Sequence, residues 1–317
     1  MQGCSDRKKS FFIPVSTGRP YEVIVVANDS VLKSDAGKAL KAILNSDVPG
    51  LPQAEGLFNV SYISTLHFDG VIKIVRNIII VDVQAKYNQV RLKYARDVYS
   101  SPQAVINIQT PNTLVLEKYI KENASLIIDF FVKMEMDRQI DMLKQSHNTY
   151  ISTKVQSLFG YNVWLPVELK SFKEENNFFW ASTNSATMDM SFVVYSYPYT
   201  DKGTFTRPYY LHKRDSVLGA NIPGVRQGMY MVTDTLSVQT KELNVENKYM
   251  MEARGLWYIK NDFMGGPFVA RVFLDSTNKR VITMETFIYS PEKKKRNLMR
   301  QMEASLYTIQ LRKNAMK

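Results

Sequence analysis

The sequence predicts an α+β chain, with a small N-terminal α/β lobe followed by an antiparallel sheet covered by helices. Three observations predict it. Apolar runs of strand length, bounded by Gly, Pro, Asn or Asp, recur along the chain. In the first half these runs alternate with helical patterns. In the second half four strand patterns follow one another, at 229–238, 248–260, 268–274 and 280–289, and close on one amphipathic helix.

The elements follow in order. Tyr21 to Ala27 is an apolar run between Pro20 and Asn28 and suits a buried strand. Asp29 or Ser30 can cap a helix through Leu44, with Leu32, Ala36, Leu40 and Ile43 on one stripe. Val48-Pro-Gly-Leu-Pro52 is a rigid loop. Phe58 to Ser64, Asn77 to Val83 and Gln103 to Gln109 read as strands, and Thr113 to His147 as one long helical region. In the second half, Asn177 to Thr183 and Met190 to Tyr197 are paired strands and Tyr210 to Leu218 a short helix. Phe268 to Leu274 and Arg280 to Tyr289 form a hairpin across Asp275-Ser-Thr-Asn-Lys279. Ser290 and Pro291 are expected to open the last helix, whose stripe is Leu298, Met302, Leu306 and Ile309. Gly265-Gly266 is expected to permit a bend or bulge ahead of the hairpin. The domains expected are 1–20 as anchor and tether, 21–158 as the α/β lobe ending in a long helix, and 159–317 as the antiparallel lobe.

Composition bounds the function. The 317 residues are 45% hydrophobic and 12% aromatic, enough to fill a core. The formal net charge is +11. Residues 290–317 hold eight Lys or Arg against Glu292 and Glu303, which reads either as a solvated helix face or as a surface for anions. No nucleic-acid recognition motif accompanies the charge, so no nucleic-acid partner is expected. No Gly-x-Gly-x-x-Gly follows a strand, and Gly37-Lys38 lacks the preceding glycine of a phosphate loop, so no nucleotide cofactor is expected. His67, His147 and His212 have no second His or Cys at ligand spacing, so no metal site is expected. No Gly-x-Ser-x-Gly elbow is present. Asp189, Asp201, Glu252, Asp262 and Glu285 are carboxylates of the kind that act in pairs on glycosides, and the sequence singles out no two of them. No catalytic residue is therefore assigned.

Binding is the sharper expectation. Trp180, Tyr197, Tyr199 and Trp257 can stack on sugar or peptide, or fill the core between sheet and helix. Arg207, Arg226 and Arg254 can pair with carboxylate or phosphate.

The N-terminus reads Met1-Gln-Gly-Cys4-Ser-Asp. A small residue before a cysteine, followed by a polar tether over residues 5–20, resembles the end of a bacterial lipoprotein signal, in which Cys4 would carry the lipid. The apolar part of such a signal is expected upstream of Met1. Gly18-Arg-Pro-Tyr-Glu-Val-Ile-Val-Val26, Pro49-Gly-Leu-Pro-Gln53, Arg76-Asn-Ile-Ile-Ile-Val-Asp82, Ala95-Arg-Asp-Val-Tyr-Ser-Ser-Pro-Gln103, Tyr195-Ser-Tyr-Pro-Tyr-Thr-Asp201 and Ala220-Asn-Ile-Pro-Gly224 resemble, across residues 18–311, an uncharacterised lipoprotein family of Bacteroidota envelopes. The resemblance implies a lipid-anchored envelope protein facing the periplasm, and implies no activity. The second lobe is distantly similar to PsbP-type domains in strand order and closing helix, a likeness of fold alone. Asp followed by Ser or Thr and then an aliphatic residue, Met or Thr, at Ser30, Ser216, Thr235 and Ser276, resembles the O-glycosylation signal of exported proteins of that phylum. Taken together, these readings lead to the expectation of a non-catalytic binding or assembly module whose partner is an envelope protein or glycan, with a hydrolase of envelope glycan or peptide as the alternative.

Overall fold

The computed structural model describes residues 13–311. They pack as two units: residues up to Ser46 with Gly56–Glu135, and Asp47–Glu55 with the chain from Met136 onward. Both helices and sheets build them, as the α+β reading predicts.

The first unit is a five-stranded sheet in the order β2-β1-β3-β5-β4. Its strands are β1 (Glu22–Ala27), β2 (Asn59–Ser64), β3 (Asn77–Val83), β4 (Arg91–Arg96) and β5 (Ala104–Thr110). All neighbours are parallel except β4, which runs antiparallel to β5. Val23, Val25, Ile79, Ile106 and Ile108 are buried on one face, and Ile24, Val26, Ile78 and Val105 on the other. β-branched side chains on both faces are what a covered parallel sheet selects.

The helix expected over 29–44 is two helices, α1 (Asp29–Lys33) and α2 (Asp35–Leu44). Ser34 breaks it: its hydroxyl donates to the Val31 carbonyl at 2.7 Å and accepts from the Gly37 N–H at 3.4 Å, which ends one helix and caps the next. A single turn, α3 (Gly70–Lys73), precedes β3. The helical region 113–147 is likewise interrupted, at Asn123, giving α4 (Thr113–Glu122) and α5 (Ala124–Gln145). Strand β4 escapes sequence reading because it is an exposed edge, charged at Arg91, Lys93 and Arg96. Below the sheet, buried Glu135 accepts from the Asn77 amide at 2.7 Å and pairs with Arg76 at 3.5 Å.

The second unit is a seven-stranded antiparallel sheet, in the order β10-β11-β12-β13-β9-β8-β7. Helix α6 (Thr149–Phe159) leads into it, capped by Asn148 and closed by Gly160 in the left-handed region. The strands are β7 (Ser171–Glu175), β8 (Phe178–Ser182), β9 (Asp189–Pro198), β10 (Met231–Val245), β11 (Lys248–Ile259), β12 (Gly265–Asp275) and β13 (Arg280–Tyr289). Helix α7 (Arg207–Asn221) lies between β9 and β10, and α8 (Arg296–Leu306) follows β13. A short pair, β6 (Tyr161–Asn162) with β14 (Gln310–Leu311), completes the unit.

Strand periodicity sorts the side chains. Val269, Phe273, Ile282, Met284 and Ile288 pack with α6 and α8, while Phe268, Ala270, Val272, Val281 and Phe287 pack with α7. The sheet is thus covered on both faces. Strand β7 was not legible for the same reason as β4, being an exposed edge with Lys173, Glu174 and Glu175.

Two expectations at the end of the chain are corrected. The last helix starts at Arg296 and not at Ser290–Pro291. Its free N–H groups are met from far away in sequence, for the buried Glu55 carboxylate accepts from Lys295 N–H at 2.6 Å and Arg296 N–H at 3.1 Å. Gly265-Gly266 makes no bend but lies within β12, opposite Tyr258 and Trp257. A Cβ on Gly266 would stand 2.0 Å from the Ile288 carbonyl oxygen, so glycine here serves close approach of strands.

Charge is sealed on both faces of this sheet. Towards α7, Arg214 and Glu285 are fully buried and paired at 2.6 Å, with Arg214 stacked 3.9 Å from the Phe268 ring centroid and donating to Thr233. Burial opposes the charge on Arg214, but Glu285 outweighs it and holds the guanidinium above its ordinary range. Towards α8, buried Glu303 pairs with Arg254 at 2.5 Å and Arg300 at 3.1 Å, while Glu252 pairs with Arg254 and Arg271. Burial raises the Glu303 carboxyl, and Arg300 and Arg254 outweigh it, so the group sits below its ordinary value.

Candidate functional site

At the N-terminal end of α7 the second unit opens into a cavity of about 710 Å³. Three aromatic rings and three cations define it: Tyr199, Phe205 and Tyr249 with Lys202, Arg207 and Lys241.

Each is placed by a local cause. Tyr199 follows β9, where Pro198 ends the strand and the Tyr199 N–H donates to the Lys279 carbonyl at 3.0 Å. A single 3₁₀ turn, Lys202–Phe205, is capped by the Asp201 carboxylate, which accepts from Gly203 N–H at 2.7 Å. This turn sets Phe205 between Tyr199, 6.1 Å away between centroids, and Tyr249, 5.1 Å away and edge-on. Arg207 is the first residue of α7, followed by Pro208. Its guanidinium is pinned by backbone oxygens alone, as Nε donates to Val238 O at 3.2 Å and Nη2 donates to Thr235 O. Those carbonyls are available because β10 slips register against β11 between Asp234 and Gln239.

The electrostatics are one-sided. Among the described residues no carboxylate pairs with Lys202, Arg207 or Lys241. Glu242, the one acidic side chain on the wall, accepts a 3.4 Å hydrogen bond from the Tyr249 hydroxyl. Burial, then the Glu242 charge, pushes the Tyr249 hydroxyl above its ordinary value, so it stays a donor at neutral pH. The positive end of the α7 dipole adds to the cations. Such a cavity can hold an anionic group against guanidinium and ammonium donors while a ring or apolar portion lies on the aromatic wall.

The residues expected from sequence divide between core and surface. Tyr199 and Arg207 come together in the cavity. Tyr197 and Trp257 lie in the core under α7, Trp257 edge-on to Phe287 at 5.3 Å. Trp180 is half-buried and donates to the Ser191 hydroxyl at 3.1 Å. Arg226 is exposed in the loop before β10. Arg254 is held by Glu252 and Glu303 on the α8 side. Phe205, Lys202, Lys241 and Tyr249 were missed. Their signal was Arg207 itself, because a cation at the first position of a helix opposes the dipole and calls for a reason.

Ser30, Ser216, Thr235 and Ser276 are exposed. Three of the preceding aspartates have structural partners: Asp215 accepts from Thr233 at 2.5 Å, Asp234 accepts from the Leu236 N–H at 3.2 Å, and Asp275 holds the hairpin turn through Asn278 and Arg280. Cys4 lies outside the described residues. Among the described residues no cluster of three His, Cys, Asp or Glu could hold a metal ion, and no helix is long and apolar enough to cross a membrane.

Comparison with known proteins adds the family. The model of a domain of unknown function, DUF8532, matches residues 16–144. No curated protein matches the chain. A second domain of unknown function, DUF4837, matches residues 148–308, just over half of the 317 residues and most of the unit that carries the cavity. The chain belongs to the DUF4837 family.

Proposed function

We propose that this protein is a lipid-anchored module of the cell envelope, facing the periplasm, that binds an envelope glycan or protein through an anionic group beside a ring. One observation carries the reading: three cations without a carboxylate counter-ion stand at the start of α7 over the rings of Tyr199, Phe205 and Tyr249. All three side chains are exposed, so their charge is open to an approaching anion. A carboxylate or phosphate supplies the missing counter-charge. Anchoring through Cys4 is supported by the Gly3-Cys4 pair and the polar tether of residues 5–20.

Calorimetric titration with glucuronate, phenyl phosphate and uncharged methyl glucoside tests the binding. The acidic ligands are expected to bind, and more weakly as salt is raised. Equal binding of methyl glucoside, or no binding of either acid, would overturn the reading. Incorporation of labelled palmitate into the protein, absent in Cys4→Ala, tests the anchor separately.

A further inference from the structure

We propose that the first unit carries a second binding site, for a neutral, hydroxyl-rich ligand of sugar size, at the carboxyl ends of its parallel strands. The topology comes first. Strand β1 is flanked by β2 on one side and β3 on the other. The chain leaves β1 towards β2 on one side and leaves β3 towards β4 and β5 on the other, so connections diverge between the carboxyl ends of β1 and β3. In open α/β sheets such a switch point leaves a crevice, and ligands bind there. A cavity of about 500 Å³ occupies this place, lined by Asn28 after β1, Thr65 after β2, Asp82 on β3, Lys93 on β4, and Asn107 and Gln109 on β5.

The side chains are of the wrong kind for a structural sheet. Interior parallel strands are ordinarily apolar on both faces. Here the face that holds Ile24, Ile78 and Val105 near the strand starts is sealed by Phe68, Ile72, Val75 and Tyr99. Towards the strand ends the same face turns polar, with Asn107 beside Ile80 and Lys93, and Gln109 beside Asp82. The array is also held in place. Asp82 accepts from Gln84 at 2.7 Å and from the Tyr87 hydroxyl at 2.5 Å, and Gln109 donates to Tyr87 at 3.0 Å. Thr65 donates to Asn28 at 2.6 Å. The Asn107 carboxamide has no hydrogen-bond partner, and Lys93 no carboxylate, among the described residues.

The chemistry of the lining selects the ligand. Among the lining residues Lys93 and Asp82 carry one charge of each sign, so the lining itself has no net formal charge to select an anion or a cation. Three carboxamides each offer both a donor and an acceptor. Hydroxyl groups, which also donate and accept, match that set, whereas a phosphate would face Asp82. The site is independent of the cavity beside α7.

Side-chain amide spectra of the ¹⁵N-labelled full chain test the proposal, with glucose, N-acetylglucosamine, ribose and inorganic phosphate as probes. At least one sugar is expected to shift the Asn107 and Gln109 amides saturably, with a Kd of about 10 mM or tighter. Asp82→Asn and Lys93→Ala, each with a native-like spectrum, are expected to weaken it at least about five-fold, and Arg207→Ala to leave it unchanged. Failure of all three sugars to move these amides, a stronger response to phosphate, or unaltered titration in both variants would overturn the proposal.

Discussion

Helix α7 carries two arginines seven residues apart, Arg207 and Arg214. Seven residues are close to two turns, so both project from one side of the helix. Arg214 is sealed against Glu285, Thr233 and the Phe268 ring. Arg207 has two backbone carbonyls and no carboxylate among the described residues, and it borders a cavity. Position within the fold decides what a guanidinium does: enclosed with its counter-ion it fixes the sheet against the helix, and at the helix start without one it leaves charge for a ligand. The comparison separates stability from binding, and each half can be broken alone.

The largest effect is expected at the sealed end. Arg214→Ala leaves the Glu285 carboxylate buried and unpaired, and should cost about 3–5 kcal/mol of stability, read from the urea midpoint. Replacing both partners, Arg214→Met with Glu285→Leu, should recover most of that loss, because removing the charges also removes their desolvation. If the double variant is as unstable as the single one, the pair contributes more than mutual neutralisation. Ligand affinity of the double variant should match that of the wild type.

The α8 face gives the next effect, through pH. The Glu303 carboxyl is held below its ordinary value of 4.5 in the folded protein. A depressed acid binds protons less readily folded than unfolded, so its contribution is complete above about pH 4.5 and is lost as pH falls through the folded value. Glu303→Gln should lower stability at pH 7 by about 2 kcal/mol or more and flatten the acid limb below pH 4.5. A wild-type acid limb in the variant would assign that limb to other carboxylates.

Arg207→Ala is the converse experiment. Two hydrogen bonds to carbonyls are lost, but so is a cation at the positive end of a helix, and stability should change by less than about 1 kcal/mol. Affinity for an acidic ligand should fall at least about ten-fold, as for loss of a charge-assisted hydrogen bond. A stability loss as large as that of Arg214→Ala would make Arg207 a structural residue and remove the contrast.

How much of this the sequence shows depends on the range of the cause. Strand β3, Asn77–Val83, is legible because its side chains report their own burial. The hairpin of β12 and β13 is legible because Asp275 to Lys279 carry turn chemistry. Helix α6 carries its own signals, with Asn148 and Gly160 at its ends. The start of α8 was not legible at all, since its cap is Glu55, some 240 positions away. Of the candidate site, Tyr199 and Arg207 could be named from residue type, but Phe205 and Tyr249 meet only after the 3₁₀ turn and strand pairing bring distant segments together. Whether an aromatic faces core or cavity is likewise a tertiary fact: Tyr197 and Tyr199 sit two positions apart, on the same side of an extended strand, and differ because β9 ends between them.

The smallest effect has the opposite sign and tests the ligand class most directly. Glu242 is the acidic member of the cavity wall, bonded to the Tyr249 hydroxyl. An anionic ligand must approach against its charge, and Glu242→Gln removes that repulsion while leaving an acceptor for the tyrosine. Affinity for glucuronate or phenyl phosphate should therefore rise, by about two- to five-fold at low salt, with the gain fading as ionic strength screens the wall. A neutral ligand should be indifferent to the change, and a cationic one should be weakened by it. Because Arg207→Ala and Glu242→Gln move an acidic ligand in opposite directions at nearly constant stability, the pair of variants distinguishes an electrostatic site from a surface whose affinity follows packing alone.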